Sequence, residues 1–274
     1  MKRFLIIGYP LGHTFSPKMH NLALEHYNIS GRYEAMAIDP GEFDQAMETL
    51  KKENISGFNI TVPYKQSILN HLDKVNPAAA AIGAVNTVVC DREGKWTGYN
   101  TDIHGFLHPL KSNIPELKSC LILGAGGAAR AVAFALADQP AIKKMAILNR
   151  TLSRAKELKA DLEIQMPSLQ IRCLSGGIHT GEPYDLIVNT SSVGMGSLSG
   201  KTPLTDLPSL IHGGTVVYDL IYNPAETLLL REARRLGLQT LNGLPMLIEQ
   251  GSQAFYLWTG HYFPQKVYDI FSSA

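Results

Sequence analysis

Short apolar runs alternate with longer amphipathic segments along the whole chain, a pattern typical of α/β proteins. In the first part of the chain the apolar runs predict strands at 4–7, 32–38, 57–62, 85–90 and 95–99. Helices are predicted between them, one from Ser16 as the N-cap to about Tyr27 and one over 42–53. The last two strands flank the turn sequence DREG, which predicts a hairpin.

The alternation becomes stricter from Leu117 onward. Apolar runs predict strands at 120–123, 145–148, 186–189 and 215–220, with predicted helices after the first two. Such β-α-β alternation predicts a parallel sheet with helices on both faces. We therefore predict two α/β domains. One comprises 1–103 and the tail helices of 242–274, and the other is a doubly wound domain over 104–241.

Composition and charge limit the possible partners of this chain. It has 274 residues, of which 45% are hydrophobic, enough to bury the cores of two modest domains. The net charge of +1 offers no basic field for nucleic acid or for an anionic membrane. No apolar stretch approaches the ~20 residues of a membrane span, and the run at 4–7 is too short for a signal peptide. We therefore expect a cytoplasmic protein with no nucleic-acid or membrane partner.

The cysteines and histidines predict no metal site. Cys90, Cys120 and Cys173 stand far apart, and each lies in or beside an apolar run. They are therefore expected to be free thiols in a reducing compartment. The nine histidines include no pair at zinc-ligand spacing.

A glycine-rich turn follows the strand at 120–123. The sequence GAGGAA over 124–129 fits G-x-G-x-x-G/A between a predicted strand and a predicted helix. Gly124 would permit the tight turn, Gly126 would let the backbone approach a pyrophosphate, and Ala129 would let the helix pack on the sheet. The motif predicts a Rossmann-type dinucleotide site, although methyltransferases and purely structural turns also contain it.

The end of the next strand indicates which dinucleotide binds. NAD sites usually place Asp or Glu there to bind the ribose hydroxyls. This chain instead has Asn149-Arg150-Thr151. A guanidinium can hold a 2′-phosphate and stack on adenine, so Arg150 predicts NADP(H). Thr151 can also serve as the N-cap of the following helix.

Several polar residues lie at positions of the predicted strands and helices where apolar residues are usual. In the strand GFNITV, Asn59 and Thr61 share one face, which suggests a surface that faces a ligand. Pro63 is expected to begin a helix with Lys65 in its first turn, where the helix dipole disfavours a cation. Further polar candidates are Asn86-Thr87 in a strand, Asn100-Thr101-Asp102 before a helix, and Gln250 on an apolar helix stripe. Thr101 or Asp102 can equally be a simple N-cap.

Eight ordered motifs closely resemble those of the shikimate dehydrogenase family. They are GYPLGHTFSPKMHN (8–21), NITVPYK (59–65), GAVNT (83–87), GYNTD (98–102), GAGGAAR (124–130), NRT (149–151), NTSSVGM (189–195) and NGLPMLIEQG (242–251). The resemblance implies an N-terminal substrate domain, an NADP-binding domain and an active site in the cleft between them. It also implies reversible NADP(H)-linked reduction of 3-dehydroshikimate to shikimate in aromatic amino-acid biosynthesis. We expect the protein to be a monomer or a homodimer.

The resemblance also implies roles for individual residues. Lys65 and Asp102 match the catalytic pair. Residues that match substrate binders are Thr14, Ser16, Thr61, Asn86, Asp102, Tyr222 and Gln250. Residues that match the cofactor site are Gly124, Ala125, Gly126, Gly127, Ala128, Asn149, Arg150, Thr151, Arg154, Leu220 and Gly243. One position departs from the family pattern, because Thr14 stands where the family usually has serine.

Three other functions compete with this interpretation. A quinate/shikimate dehydrogenase would accept a broader substrate range, and Arg150 weighs against its use of NAD. A metabolite-sensing regulatory protein on the same fold would need neither Lys65 nor Asp102. An enzyme of folate one-carbon metabolism also combines a lysine-bearing domain with a nucleotide domain, but Thr14, Ser16 and Asn86 suit a polyol better than a pterin.

Overall fold

The computed structural model describes residues 1–12, 14–111, 116–176 and 182–272. Their strands are β1 (Lys2–Gly8), β2 (Gly31–Ala37), β3 (Gly57–Ile60), β4 (Lys74–Val75), β5 (Thr87–Cys90), β6 (Trp96–Tyr99), β7 (Ser119–Leu123), β8 (Lys144–Leu148), β9 (Gln170–Leu174), β10 (Leu186–Asn189), β11 (Val216–Asp219) and β12 (Gln239–Leu241). Their α-helices are α1 (Ser16–His26), α2 (Phe43–Lys51), α3 (Pro77–Ile82), α4 (Asp102–Leu107), α5 (Gly127–Ala137), α6 (Leu152–Gln165), α7 (Leu228–Arg235), α8 (Leu244–Thr259) and α9 (Gln265–Ser272).

The chain divides into two compact units. The first contains Met1–Gly105 and Ile248–Ala274, and the second contains Phe106–Leu247. We predicted that all of 242–274 belongs to the first unit. The second unit instead extends to Leu247, in the first turn of α8, and only the residues from Ile248 onward belong to the first unit.

The first unit is built on a mixed six-stranded sheet in the order β2-β1-β3-β5-β6-β4. β1 runs parallel to β2 and β3, whereas β5 is antiparallel to β3 and to β6. The predicted hairpin is therefore confirmed as the β5–β6 pair. The alternating side chains Leu5, Ile7, Phe58, Ile60 and Val88 enter one buried core. Trp258 of α8 closes the other side, where its Nε1 donates to the carbonyl of Val88 at 2.9 Å.

The second unit is built on a fully parallel six-stranded sheet in the order β12-β11-β10-β7-β8-β9. In chain order within the unit this is the doubly wound 3-2-1-4-5-6 arrangement, read from the opposite edge. The predicted Rossmann-type fold is confirmed. Its strand order reverses between β7 and β10, and ligands of such sheets bind at the carboxyl ends of the strands at this point.

Some predicted local elements were wrong. No α-helix begins at Pro63: residues 62–66 form turns, and a 3-10 helix follows over Ser67–His71. The reason is that the carbonyl of Lys65 accepts from the backbone N–H of Val85 at 2.7 Å, a partner outside any local helix. Ser16 is the first residue of α1 rather than its cap, and Phe15 holds the cap position without a side-chain bond.

Other elements carry weaker sequence signals and were not predicted. They include α3, α7 and the short strands β4, β9 and β12. Within the described ranges, no helix is both long enough and apolar enough to cross a membrane.

Candidate active site

Lys65 and Asp102 form an ion pair in the first unit. Lys65 lies in the turns after β3, and Asp102 is the first residue of α4. The Lys65 Nζ donates to the Asp102 Oδ2 at 2.6 Å, and the two side chains are only 12% and 6% exposed. At such low exposure the two charges interact more strongly than a surface pair, because water screens them less.

The Asn86 side chain joins this ion pair to Gln250. Its Nδ2 donates to the Asp102 Oδ1 at 2.9 Å and lies 3.3 Å from the Gln250 Oε1. Its Oδ1 accepts from the backbone N–H of Thr101 at 2.7 Å, which fixes the orientation of the amide. The N–H₂ end therefore faces the carboxylate, a group that can only accept when ionised. Four predicted site residues, Lys65, Asn86, Asp102 and Gln250, are thus in one hydrogen-bonded cluster.

The three predicted hydroxyl donors lie at other positions in the first unit. Ser16 is buried, whereas Thr14 and Thr61 are partly exposed. The Thr14 Oγ1 accepts from the backbone N–H of Ser16 at 3.3 Å, and the N–H of Thr61 donates to the carbonyl of Ile7 at 2.9 Å. Within the described part of the chain, no direct hydrogen bond joins these three residues to Lys65 or Asp102.

Asn59 does not face open space, contrary to our expectation for the polar face of this strand. It is 5% exposed. Its Oδ1 accepts from the Tyr33 hydroxyl at 2.7 Å, and its Nδ2 donates to the Thr87 Oγ1 at 2.9 Å. The amide is therefore used inside the protein, and Thr61 alone keeps an accessible side chain on that face.

The glycine turn in the second unit has the geometry of a phosphate-binding turn. Gly124 has a φ of +123°, and a Cβ at this position would lie 2.5 Å from the Thr190 Oγ1, so only glycine fits. Gly126 precedes α5 in an extended conformation, and a Cβ added to it would meet nothing within 4 Å. The N-terminus of α5, beginning with Gly127 and Ala128 and preceded by Ala125, therefore opens onto space beside β7. Free N–H groups at such a helix end bind anions.

Cationic side chains follow β8. Arg150 and Arg154 are exposed, and no acidic residue stands at the end of this strand. The Asn149 Nδ2 donates to the carbonyl of Thr151 at 2.8 Å and so shapes the connection into α6. Thr151 occupies the N-cap position, although its side chain makes no capping bond. Two guanidinium groups beside a phosphate-binding turn fit a dinucleotide that carries an extra phosphate.

Leu220 and Gly243 are in direct contact at the ends of β11 and β12. A Cβ on Gly243 would lie 1.9 Å from the carbonyl oxygen of Leu220, so the backbones approach too closely for any other residue. The neighbouring Asp219 is fully buried, and it accepts from the Thr227 hydroxyl, the N–H of Ile221 and the Asn189 amide at 2.7, 3.0 and 3.0 Å. Burial raises the pKa of Asp219 although these donors oppose the rise. This network holds the segment that leads to the partly buried Tyr222.

Family models cover three parts of the chain. A shikimate dehydrogenase substrate-binding domain matches residues 6–88, a shikimate/quinate 5-dehydrogenase domain matches 110–192, and a shikimate 5′-dehydrogenase C-terminal domain matches 243–267. Two proteins named shikimate dehydrogenase (NADP(+)), from Carboxydothermus hydrogenoformans and Caldanaerobacter subterraneus subsp. tengcongensis, are 45% and 41% identical to this chain. Each alignment covers 96% of this chain and 93% of the relative. The chain belongs to the shikimate dehydrogenase family.

A solved structure of a shikimate dehydrogenase extends this similarity to the whole fold. The crystal structure of shikimate 5-dehydrogenase from Thermus thermophilus in complex with NADP(H) and shikimate has a TM-score of 0.85 and 37% identity. The alignment covers 100% of this chain and 99% of that one.

In this shikimate dehydrogenase family member, several buried residues are linked to the hydrogen-bonded cluster although the sequence did not predict that link. Tyr33 was not noticed, because a single tyrosine in a strand gives no sequence signal. His20, buried and stacked on Tyr33 with ring centroids 4.2 Å apart, was also missed. Asn59 and Thr87 did carry a signal, since both are polar residues in apolar strands, but their partners depend on strand pairing.

Proposed function

We propose that this chain is an NADP-dependent dehydrogenase that reversibly reduces 3-dehydroshikimate to shikimate in aromatic amino-acid biosynthesis. The observation that carries the proposal is the buried contact of Lys65 with Asp102, held by Asn86. The names of the two relatives and of the Thermus thermophilus complex support the choice of substrate and cofactor.

The residues of the second unit fit NADP(H). The glycine turn with its open helix N-terminus can hold the pyrophosphate, from Gly124 to Ala128. Asn149, Thr151 and the guanidinium groups of Arg150 and Arg154 are the residues we assign to the adenosine 2′-phosphate. Leu220 and Gly243 are assigned to the nicotinamide end. When bound, the reduced nicotinamide supplies a hydride to the carbonyl carbon of the substrate.

Lys65 is proposed to act as the acid in the reduction. Its ammonium donates a hydrogen bond to the ring carbonyl, which polarises the carbonyl and stabilises the negative charge that develops on the oxygen. It then transfers a proton to that oxygen, and solvent restores the proton to Nζ. In the oxidation direction the same amine accepts the hydroxyl proton. Positioned groups of this kind contribute typically 10²–10⁴-fold to the rate.

Asp102 is proposed to hold the lysine and the reacting hydroxyl together. The Asp102 Oδ2 accepts from the Lys65 Nζ, and the Asn86 Nδ2 donates to the other oxygen, Oδ1, of the same carboxylate. Asn86 and Gln250 present both donor and acceptor atoms, as a polyol requires. We assign Thr61 and Tyr222 to the remaining hydroxyls, and Thr14 and Ser16 to the substrate carboxylate.

The test is a panel of two substrates and two cofactors. Purified protein is mixed with shikimate or quinate and with NADP⁺ or NAD⁺, and absorbance at 340 nm reports the reduced nicotinamide. We expect the highest kcat/KM with shikimate and NADP⁺. Equal use of quinate would favour a quinate/shikimate dehydrogenase. Absence of turnover, combined with tight binding of shikimate in calorimetry, would favour a regulatory protein.

We also propose that the protein acts in the cytoplasm as a monomer or homodimer. The three cysteines are free, and Cys120 is fully buried, as suits a reducing compartment. Light scattering of the purified protein measures the oligomeric state directly.

A further inference from the structure

A chain of buried hydrogen bonds runs from Tyr33 to the Asp102 carboxylate. It passes through Asn59, Thr87 and Asn86, with donor–acceptor distances of 2.7, 2.9, 3.0 and 2.9 Å. Tyr33, Asn59, Thr87 and Asn86 are each at most 5% exposed, so water does not compete for these bonds. Among the described residues, no hydrogen bond joins Tyr33, Asn59 or Thr87 to Lys65.

In each of these four hydrogen bonds the donor lies on the Tyr33 side and the acceptor on the Asp102 side. Burial raises the pKa of Tyr33 far above its usual range, so its phenol stays protonated and donates to the Asn59 Oδ1. The Asn59 Nδ2 also donates to the carbonyl of Asn86, which fixes the amide orientation. Thr87 therefore receives a hydrogen bond from Asn59 and donates one to the Asn86 Oδ1, while its Oγ1 also lies 3.2 Å from the Thr101 Oγ1. Asn86 in turn donates to Asp102.

We propose that Tyr33, Asn59 and Thr87 are positioning residues whose aligned hydrogen bonds polarise the Asn86 amide toward the Asp102 carboxylate. We call this series of hydrogen bonds, from Tyr33 to Asp102, the relay. Aligned hydrogen bonds strengthen one another by about 10–30% per bond in a low-dielectric interior. The relay thereby strengthens the hydrogen bond from Asn86 to Asp102 and keeps the carboxylate in line with Lys65. Its catalytic importance rests on the proposed function, but its effect on this hydrogen bond does not.

Sheet geometry explains why the relay is rigid. Asn59 and Thr87 are directly paired across the antiparallel strands β3 and β5, so their side chains leave the sheet on the same face. Tyr33 lies on β2, and its ring is stacked on His20. His20 is itself surrounded by Phe255, Trp258 and Phe263. The phenol is thus held in place by aromatic packing as well as by its hydrogen bond.

Other titratable groups near Asp102 must be considered in any pH measurement. Lys65 contacts it directly. The His104 Nε2 on α4 lies 2.9 Å from the Glu249 Oε1 on α8; His104 is two positions after Asp102, and Glu249 directly precedes Gln250. The variants proposed below change none of these groups, so a difference between variants reports the relay.

The decisive measurement is the NMR chemical shift of the Asn86 side-chain amide protons in the ligand-free protein, because the shift of a donated proton follows the strength of its hydrogen bond. Thr87→Val replaces the hydroxyl with a methyl of similar size and breaks the relay at its centre. We expect the Asn86 Nδ2 proton that faces Asp102 to move upfield, as weakening of that hydrogen bond would produce. Thr87→Ser should restore the wild-type chemical shift.

Thr215→Val is the matched control. Thr215 is also a fully buried threonine, and its hydroxyl donates to the carbonyl of Tyr184 in the second unit at 2.7 Å. We expect it to lower the melting temperature without moving the Asn86 amide resonances. Tyr33→Phe breaks the relay at its far end and tests the same idea if Thr87→Val does not fold. Because Tyr33 also bonds to Ser16, the Asn86 amide resonance and not KM is its readout.

Kinetics test the importance of the relay for turnover. Thr87→Val should lower kcat roughly 3- to 30-fold, which is less than the loss, on the order of 10²-fold, that a ~1 Å misplacement causes. Thr87→Ser should restore kcat. The proposal is overturned if the Asn86 side-chain amide resonances are identical in the wild type, Thr87→Val and Tyr33→Phe. If the wild type lacks dehydrogenase activity while the Asn86 resonance still shifts, the proposed function fails and the relay stands.

Discussion

The Lys65 Nζ and the Asp102 Oδ2 lie 2.6 Å apart although 37 positions separate the two residues in sequence. The contact is nearly closed to solvent, so removing either partner leaves the other charge buried and poorly compensated. This dependence makes the pair the most direct target for mutation.

Replacing Lys65 with alanine should lower kcat by roughly 10²–10⁴-fold, with little change in the KM for shikimate. The reason is that the lysine is proposed to act on the transition state rather than on binding. Steady-state kinetics with shikimate and NADP⁺ measure the change. The matched control is Lys74→Ala, which removes an exposed lysine of the same unit and should leave kcat unchanged. A Lys65→Ala variant with near wild-type kcat would exclude the proposed acid.

Replacing Arg150 with alanine should weaken the binding of NADP⁺ much more than the binding of NAD⁺. Loss of a charge-assisted contact to the 2′-phosphate should cost on the order of 1.5–3 kcal/mol for NADP⁺ alone. The KM values for both cofactors, measured at fixed ionic strength, give the comparison. Arg172→Ala, an exposed arginine on β9, controls for the loss of a surface charge. Equal weakening of both cofactors would make Arg150 a structural residue.

Replacing Thr14 with serine should relax discrimination against quinate. Threonine keeps the hydroxyl that would anchor the carboxylate, but its β-branched methyl is stiff at χ1. The carboxylate-bearing carbon is flat in shikimate, whereas in quinate it is tetrahedral and carries an extra hydroxyl that the methyl would crowd. One such contact is worth roughly 1–3 kcal/mol, or about 10–200-fold in kcat/KM. An unchanged ratio of kcat/KM for the two substrates would refute this steric explanation.

Replacing His20 with phenylalanine should remove a pH-dependent loss of stability. Burial lowers the pKa of His20 from 6.5 to about 3, and neither ring nitrogen has a hydrogen-bond partner among the described residues. Below about pH 6.5 the unfolded chain binds a proton that the folded chain does not. Stability is therefore fully present above pH 6.5 and declines as the pH falls toward 3, by roughly 2 kcal/mol at pH 5.

Urea unfolding at pH 8 and pH 5 tests whether the stability falls with pH in this direction. The difference in unfolding free energy between the two pH values should be smaller in His20→Phe by about that amount. His26→Phe is the control, because His26 is exposed on the same helix and should leave the difference nearly as in the wild type. If both variants behave alike, His20 does not carry the pH dependence.

Replacing Gly243 with alanine should disturb the part of the second unit that we propose to hold the nicotinamide. The added Cβ would lie 1.9 Å from the carbonyl oxygen of Leu220, a backbone atom, so the ends of β11 and β12 must move apart. Overpacking of this kind costs typically 1–3 kcal/mol. We expect a lower melting temperature and weaker NADP⁺ binding by calorimetry. Gly213→Ala has no neighbour within 4 Å and should change neither quantity.

The sequence by itself determined the fold class and the positions of the chemically active motifs. Apolar periodicity is a local property, so the β-α-β alternation after Leu117 and the glycine turn at 124–129 could be identified without knowing any contact. The ion pair of Lys65 and Asp102 was expected from family motifs. The prediction of a helix that begins at Pro63 was wrong. The carbonyl of Lys65 accepts from the backbone N–H of Val85 and not from a residue four positions later in the chain.

Only the tertiary structure decided which polar side chains meet. The sequence shows that Asn59 is a polar residue in a mostly apolar strand. Its contact with Thr87, however, requires the β3–β5 pairing in one specific antiparallel register. A register shift of one residue would turn Asn59 to the opposite face of the sheet. Tyr33 reaches Asn59 across β1, which lies between their strands in the sheet, and local patterns do not encode this strand order. The periodicity of the sequence predicts on which face of a sheet a side chain lies. The residue that this side chain contacts depends on the order and register of the strands.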